Sequence, residues 1–233
     1  MTEFRPGRFE VLPTVVKNLV IINVLVFVAQ VTVGNKIPLE PLFALHTWQS
    51  DLFKPWQFVT YMFMHGSFPH LFFNMFALWM FGSTLENIWG PKRFITFYMA
   101  CGLGAALCHM IALYFPNQEL IQAFRSASPQ EQEFYKGHLN AALNVSTVGA
   151  SGAVYGCLVA FGYLFPNSYI YIFPLPFPIK VKWFVIGYIA IEIYSSIESN
   201  PGDDIAHVAH LGGALVGFLL VYFWNKTNRN RFY

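Results

Sequence analysis

Six apolar stretches limit what this chain can become. They cover about residues 15–33, 70–85, 94–115, 147–165, 181–196 and 205–224, and Pro, Gly or Asn stands at most of the breaks between them. A helix rises about 1.5 Å per residue, so about 20 such residues match a hydrocarbon core of about 30 Å. Lipid offers no hydrogen-bond partner, so each crossing segment must satisfy its own backbone as a helix. The expected fold is an all-α polytopic membrane protein, a six-transmembrane-helix bundle forming one domain over residues 1–233. Composition agrees: 11% of residues are charged, against about 25% in soluble domains. No basic run interleaved with aromatics points to nucleic acid.

Pro13-Thr14 is a plausible start for the first helix and Gly34-Asn35 a stop. This helix lacks a small-residue cleavage site, so it is expected to stay in place as a helix and not to act as a removable signal. Residues 36–69, with Trp48, Trp56 and Tyr61, are too broken to span and too apolar for a free loop. They read as a segment lying at the interface. Pro116-Asn117 is expected to end the third helix. Residues 118–144 carry Glu119, Arg125, Glu131, Glu133 and Lys136, and read as a water-exposed loop with room for a short amphipathic helix. A proline-rich turn follows the fourth helix, at Pro174, Pro176 and Pro178. Asp203 or Asp204 suits the N-cap of the sixth helix. Cys101, Cys108 and Cys157 lie in apolar segments and read as small core residues. With both termini cytoplasmic, ten Lys and Arg fall inside and four outside, as the positive-inside tendency requires.

In that topology the second, fourth and sixth helices all enter from the outer face, and each carries polar residues in its first turns. His70 and Asn74 lie one turn apart on the second. Ser151 opens the fourth within Gly149-Ala150-Ser151-Gly152-Ala153-Val154-Tyr155-Gly156. His207 and His210 lie on the sixth. Alone, a serine among glycines means close helix packing. Three helices agreeing on depth favour a site, because polar ionisable groups at membrane depth are functional candidates.

Serine and histidine together suggest a nucleophile and its base. Ser151, near a helix start, has free backbone N–H groups and the positive end of the dipole beside it, suited to an oxyanion. Asn74 can add an amide donor and His70 another. Gly149 and Gly152 permit close approach of backbone and substrate, and Tyr155, four residues after Ser151, can pack on the imidazole. Glu192 lies deep in the fifth helix and Asp203 and Asp204 in the outer turn, so no acid is expected beside the histidine, and a Ser–His dyad is expected.

These residues resemble the rhomboid intramembrane serine proteases. The matching motifs are Gly149-x-Ser151-Gly152 with Tyr155, His65-Gly66-x-x-x-His70-x-x-x-Asn74, Ala209-His210-x-x-Gly213-x-x-x-Gly217 and Glu86-x-x-x-Gly90. The resemblance implies Ser151 as nucleophile, His210 as general base, and His70, Asn74 and the Ser151 amide as the oxyanion hole. It implies a six-helix core and cleavage of single-pass membrane substrates near the outer boundary of the bilayer, with no cofactor and no metal. The short N-terminus fits a bacterial plasma membrane. The chain departs from the family at Trp56-Gln57, where Trp-Arg is common.

Simpler roles suit other residues. His65 is expected to brace the first loop by hydrogen bonds, and His207 to be packed or hydrogen-bonded. Glu86 with Arg93 is expected to order the inner end of the second helix. His109, Glu192 and Asn23 are expected to be packed or paired within the bundle. Gly213-x-x-x-Gly217 and Gly152-x-x-x-Gly156 are expected helix contacts. Two other functions compete with the peptidase. One is a metal- or haem-binding membrane protein using His65, His70, His207 and His210, which leaves Ser151 and Asn74 without a role. The other is a non-catalytic relative that binds transmembrane helices, in which loss of Ser or His would be expected.

Overall fold

The computed structural model describes residues 9–34, 36–171, 176–197 and 204–227, with backbone only for 204–206 and 227. Asn35, Pro174 and Asp203, and the side chain of Asp204, lie outside the described residues, so the turn and cap expected there are not addressed.

The chain is predominantly helical. Helix α1 (Thr14–Val33) is followed by short elements: α2 (Leu39–Phe43), β1 (Leu45–His46), α3 (Gln57–Thr60) and a 3-10 turn (Tyr61–Phe63). Then come α4 (Phe68–Ala77), a π turn (Leu78–Gly82) and α5 (Ser83–Trp89), which form one interrupted helical run. After α6 (Pro91–Ser126) and α7 (Pro129–Leu143) come β2 (Ser146–Thr147) and α8 (Ser151–Leu164). Strands β3 (Tyr169–Ile170) and β4 (Ile179–Lys180) pair before α9 (Val181–Ile197) and α10 (Asp204–Thr227). Among the described residues, α1, α6 and residues 207–226 of α10 are long and apolar enough to cross a membrane. The segments expected as the second, fourth and fifth spans are helical: the interrupted run, a 14-residue helix and a 17-residue helix.

Helices α6, α8 and α10 form the centre. They meet through small residues: Gly152 against Ala105, Gly156 against Cys101, Gly212 against Cys108 and Gly213 against the backbone of Gly152. With no hydrophobic drive between helices in lipid, such close packing is what holds them together. Phe94, Phe97, Tyr98 and Met110 of α6 fill the space around this contact and are fully buried. Large apolar side chains such as Ile21, Leu25, Phe73, Ile111, Ile191 and Phe223 point outward. A broad apolar exterior on long apolar helices is the mark of an integral membrane protein.

Three expectations change. Pro116 does not end the third helix: α6 runs through it to Ser126. A proline inside a helix loses one hydrogen bond and costs about 3 kcal/mol; here α7 packs back on the extension. Residues 118–144 are therefore a helical hairpin and not a loop, with α7 started by a capping box between Ser128 and Glu131. Glu86 serves α1, not its own helix. Its carboxylate accepts the backbone N–H groups of Val15 at 2.9 Å and Val16 at 2.8 Å, filling the first-turn donors that Pro13 cannot cap. Arg93 instead lies 4.2 Å from the centre of the Trp224 ring.

Candidate active site

Ser151 is the first residue of α8, where the chain arrives from β2. Strand β2 is held by antiparallel pairing with β1, and the Gly149 N–H donates to the Tyr61 carbonyl at 2.9 Å. Gly149 has φ +131°, a conformation that L side chains rarely adopt. The first α-helical bond after it runs from the Val154 N–H to the Ala150 carbonyl, so the N–H groups of residues 151–153 have no intrahelical acceptor.

Ser151 Oγ lies 2.8 Å from His210 Nε2. The two residues are carried by α8 and α10, which meet at Gly152 and Gly213, one residue after Ser151 and three after His210. Tyr155, one turn along α8 from Ser151, stacks on the His210 ring with centroids 4.4 Å apart.

His70 stands on α4, whose first turn is capped by Ser67. A Cβ placed on Gly149 would lie 2.8 Å from His70 Nε2 and 3.6 Å from Ser151 Oγ. Only a glycine lets His70 come this close to the backbone beside Ser151. Asn74 is one turn further along α4 and buried.

His65 behaves differently from expectation. Its backbone, not its ring, braces the loop: Gln30 Oε1 accepts the His65 N–H at 3.0 Å, and Gln30 Nε2 donates to the His65 carbonyl at 3.1 Å. Its buried ring packs edge-on to His70, with centroids 5.0 Å apart, and neither nitrogen has a well-aligned partner among the described residues. Burial, with His70 alongside, holds this imidazole down at about 4, so it is neutral at pH 7.

The main difference concerns Glu192. Its side chain is 6% exposed and reaches the site. Oε2 lies 3.1 Å from His210 Nδ1 and 2.6 Å from His207 Nδ1, and Oε1 accepts the Tyr155 hydroxyl. From the sequence, Glu192 lies too deep in the fifth helix to reach His210, and a Ser–His dyad is expected; the structure brings the carboxylate to the imidazole. Glu192 is five residues before the end of α9, and His207 and His210 are three and six residues after the start of α10. At about 1.5 Å per residue these positions are level. His207 is hydrogen-bonded as expected. His109, also expected to be paired, has Nε2 2.7 Å from Thr147 Oγ1.

Ligand atoms of Glu192, His207 and His210 lie within 4.8 Å of one another. These are the residues that could hold a divalent cation, not the set with His65 and His70.

The Rhomboid domain profile matches residues 52–226. The chain is 28% identical over 171 residues to the mitochondrial Rhomboid protein 1 of Saccharomyces cerevisiae, covering 71% of this chain and 40% of that protein. It is 24% identical over 214 residues to Rhomboid protease GluP of Bacillus subtilis, covering 88% of this chain and 34% of the relative. With Rhomboid protease AarA of Providencia stuartii it shares 26% identity over 219 residues, 87% of this chain and 69% of that one. The chain thus spans less than half the length of the first two. The profile match takes in most of the chain, including α4 to α10 and every side chain that meets around Ser151, and on that ground the chain belongs to the rhomboid family.

Proposed function

We propose that this protein is an intramembrane serine endopeptidase in which Ser151 is the nucleophile and His210 the general base. The observation that carries this reading is the 2.8 Å contact between Ser151 Oγ and His210 Nε2 at the first turn of α8. As Oγ bonds to the scissile carbonyl carbon, its proton passes to Nε2 and the carbonyl π pair moves onto oxygen. The oxyanion then lies beside Gly149, within reach of the free Ser151 N–H, His70 and Asn74. When the tetrahedral intermediate collapses, the C–N bond breaks and Nε2 returns the proton to the leaving nitrogen. Water repeats the sequence on the acyl-enzyme and restores Ser151.

In this reading the substrates are single-pass transmembrane proteins, cut near the outer boundary of the bilayer. The names of the Bacillus and Providencia relatives, both rhomboid proteases, support the protease reading itself. Six spans with both termini cytoplasmic, one rhomboid-like domain over residues 1–233 and a bacterial plasma membrane complete the proposal.

The test is labelling by a serine-directed fluorophosphonate probe. Wild type should label, and Ser151→Ala and His210→Ala should not, while both variants stay folded. Full activity in either variant overturns the assignment. Asn74→Ala should slow cleavage by about 10²-fold if its amide faces the oxyanion; an unchanged rate removes it from the site.

The clustering of Glu192, His207 and His210 favours a second reading, a divalent-cation site. The two readings exclude each other at His210. A metal on Nδ1 leaves the ring's one proton on Nε2, where it cannot accept from Ser151. Chelators should leave labelling unchanged; a wild type that labels only after chelation, or that retains a stoichiometric divalent cation bound to this cluster, would favour the metal.

A further inference from the structure

We propose that Glu192 is the positioning acid of this site, so that Ser151, His210 and Glu192 act as one hydrogen-bonded relay. The inference rests on reading Ser151 and His210 as nucleophile and base.

A neutral imidazole carries one proton, on either nitrogen. With the proton on Nε2, His210 can only donate toward Ser151 and cannot take its proton. With the proton on Nδ1, the Nε2 lone pair faces Oγ and the ring is ready as a base. Glu192 decides between these forms. Its Oε2 is 3.1 Å from His210 Nδ1, and an ionised carboxylate only accepts. The hydrogen bond therefore forms only when Nδ1 carries the proton.

The surroundings show which form the carboxyl takes. The Tyr155 hydroxyl donates to Oε1, and both His207 Nδ1 and His210 Nδ1 meet Oε2. A protonated carboxyl could donate to only one of the two imidazoles. An ionised one can accept from all three neighbours at once, as a group that accepts everywhere and donates nowhere. The three neighbours also restrain its rotation, so the oxygen facing His210 stays there. When Ser151 gives up its proton, His210 becomes a cation whose Nδ1–H still points at a negative oxygen. That charge-assisted bond is strengthened at the moment of reaction. Glu192 itself neither gains nor loses a proton.

A purely structural role would need only that Glu192 be paired within the bundle. Any one of the three donors would serve for that. Here two of the three, Tyr155 and His210, are in contact with each other, and the third, His207, is one helical turn from His210. The carboxylate is aimed at the far side of the base from Ser151, where an orienting acid has to be.

The experiment uses the full-length protein in detergent and the fluorophosphonate probe, with inactivation rate and probe affinity measured separately. Glu192→Gln keeps the shape but can present an amide N–H to Nδ1, which favours the wrong form of the ring. In serine hydrolases with the same arrangement, such a carboxylate-to-amide change lowers the rate by about 10⁴-fold. With Oε2 shared by two imidazoles, a fall of about 10²- to 10⁴-fold is expected here, with probe affinity unchanged. Glu192→Asp keeps the charge and should label at least about tenfold faster than Glu192→Gln. A Gln variant that labels at the wild-type rate overturns the role of Glu192 and leaves Ser151 as nucleophile. So does an equal loss in Gln and Asp that follows their loss of melting temperature. A wild type that does not label, or label that persists in Ser151→Ala, overturns the nucleophile reading and this one with it. Nitrogen-15 spectra of histidine in the wild type decide the matter without any variant. Protonated Nδ1 and bare Nε2 on His210 support the relay, and the reverse overturns it.

Discussion

The phenol ring of Tyr155 lies flat on the imidazole of His210, with centroids 4.4 Å apart and planes 7° from parallel. The same phenol donates its hydroxyl proton to Glu192. One side chain therefore sets the plane of the ring by its face and the position of the acid by its edge. Its place four residues after Ser151 puts it on the face of α8 that looks toward α10.

Tyr155→Phe keeps the stacked face and removes the hydroxyl. A hydrogen bond to a charged group contributes about 1.5–3 kcal/mol, so the inactivation rate with the fluorophosphonate probe should fall by about 10- to 100-fold. Tyr155→Ala removes both contacts and should fall further. Equal rates for Phe and wild type would show that the hydroxyl does not hold the acid.

Gly149→Ala tests the close approach of His70 to this backbone. The new Cβ would lie 2.8 Å from His70 Nε2 at a residue with φ +131°, so both the space and the backbone oppose it. Probe labelling should be lost, by about 10²-fold or more if the oxyanion position is filled, while the melting temperature falls by only a few degrees. An alanine variant with wild-type labelling would show that the approach of His70 to Gly149 plays no part in the mechanism.

Gln57 occupies the place where the family often has Arg, and it is fully buried. Oε1 accepts the N–H groups of His46 at 3.3 Å and Lys54 at 3.1 Å, and Nε2 donates to the carbonyls of Pro41 at 3.1 Å and Leu52 at 2.9 Å. It therefore ties together the loop from 41 to 57. Gln57→Leu leaves these backbone groups unpaired, at about 1–3 kcal/mol each where water cannot reach them. Limited proteolysis should then cut between residues 41 and 57 well below the melting temperature of the wild type. A cleavage pattern like the wild type's would show that the loop is held by other contacts.

His65 predicts an acid sensitivity. Its folded value of about 4 is below the unfolded value of about 6.5. Between these values the unfolded chain binds more protons, so stability rises with pH. The contribution is complete above about pH 6.5 and is lost as pH falls toward about 4, in total about 3 kcal/mol. His65→Gln should flatten the melting-temperature profile across this window. A profile as steep as the wild type's would place the acid sensitivity elsewhere.

Much of this arrangement was legible in the chain. Depth counted along helices brought His70, Ser151 and His210 to one level, because a helix converts sequence number directly into height. The spacing from Ser151 to Tyr155 gave a shared face for the same reason. Glu192 was missed although that rule applied to it. From the sequence it lies deep in its helix, and its contacts with His207 and His210 reveal that it is level with them. The extension of α6 past Pro116 was hidden for a different reason. A proline reports a local cost, and that cost does not by itself decide where a helix stops. Glu86 was assigned to its own helix because capping was looked for nearby, whereas the donors it satisfies are about 70 residues away.

The contact of Gly213 with the backbone of Gly152 acts as a one-sided stop. Two main chains already touching can move apart but cannot move closer, so the Ser151–His210 distance has a floor and no ceiling. Compression should leave the site in register, whereas anything that pries α10 away from α8 opens the gap between nucleophile and base. The vulnerability of this site is to loosening, and a bilayer that squeezes the helices together guards against that.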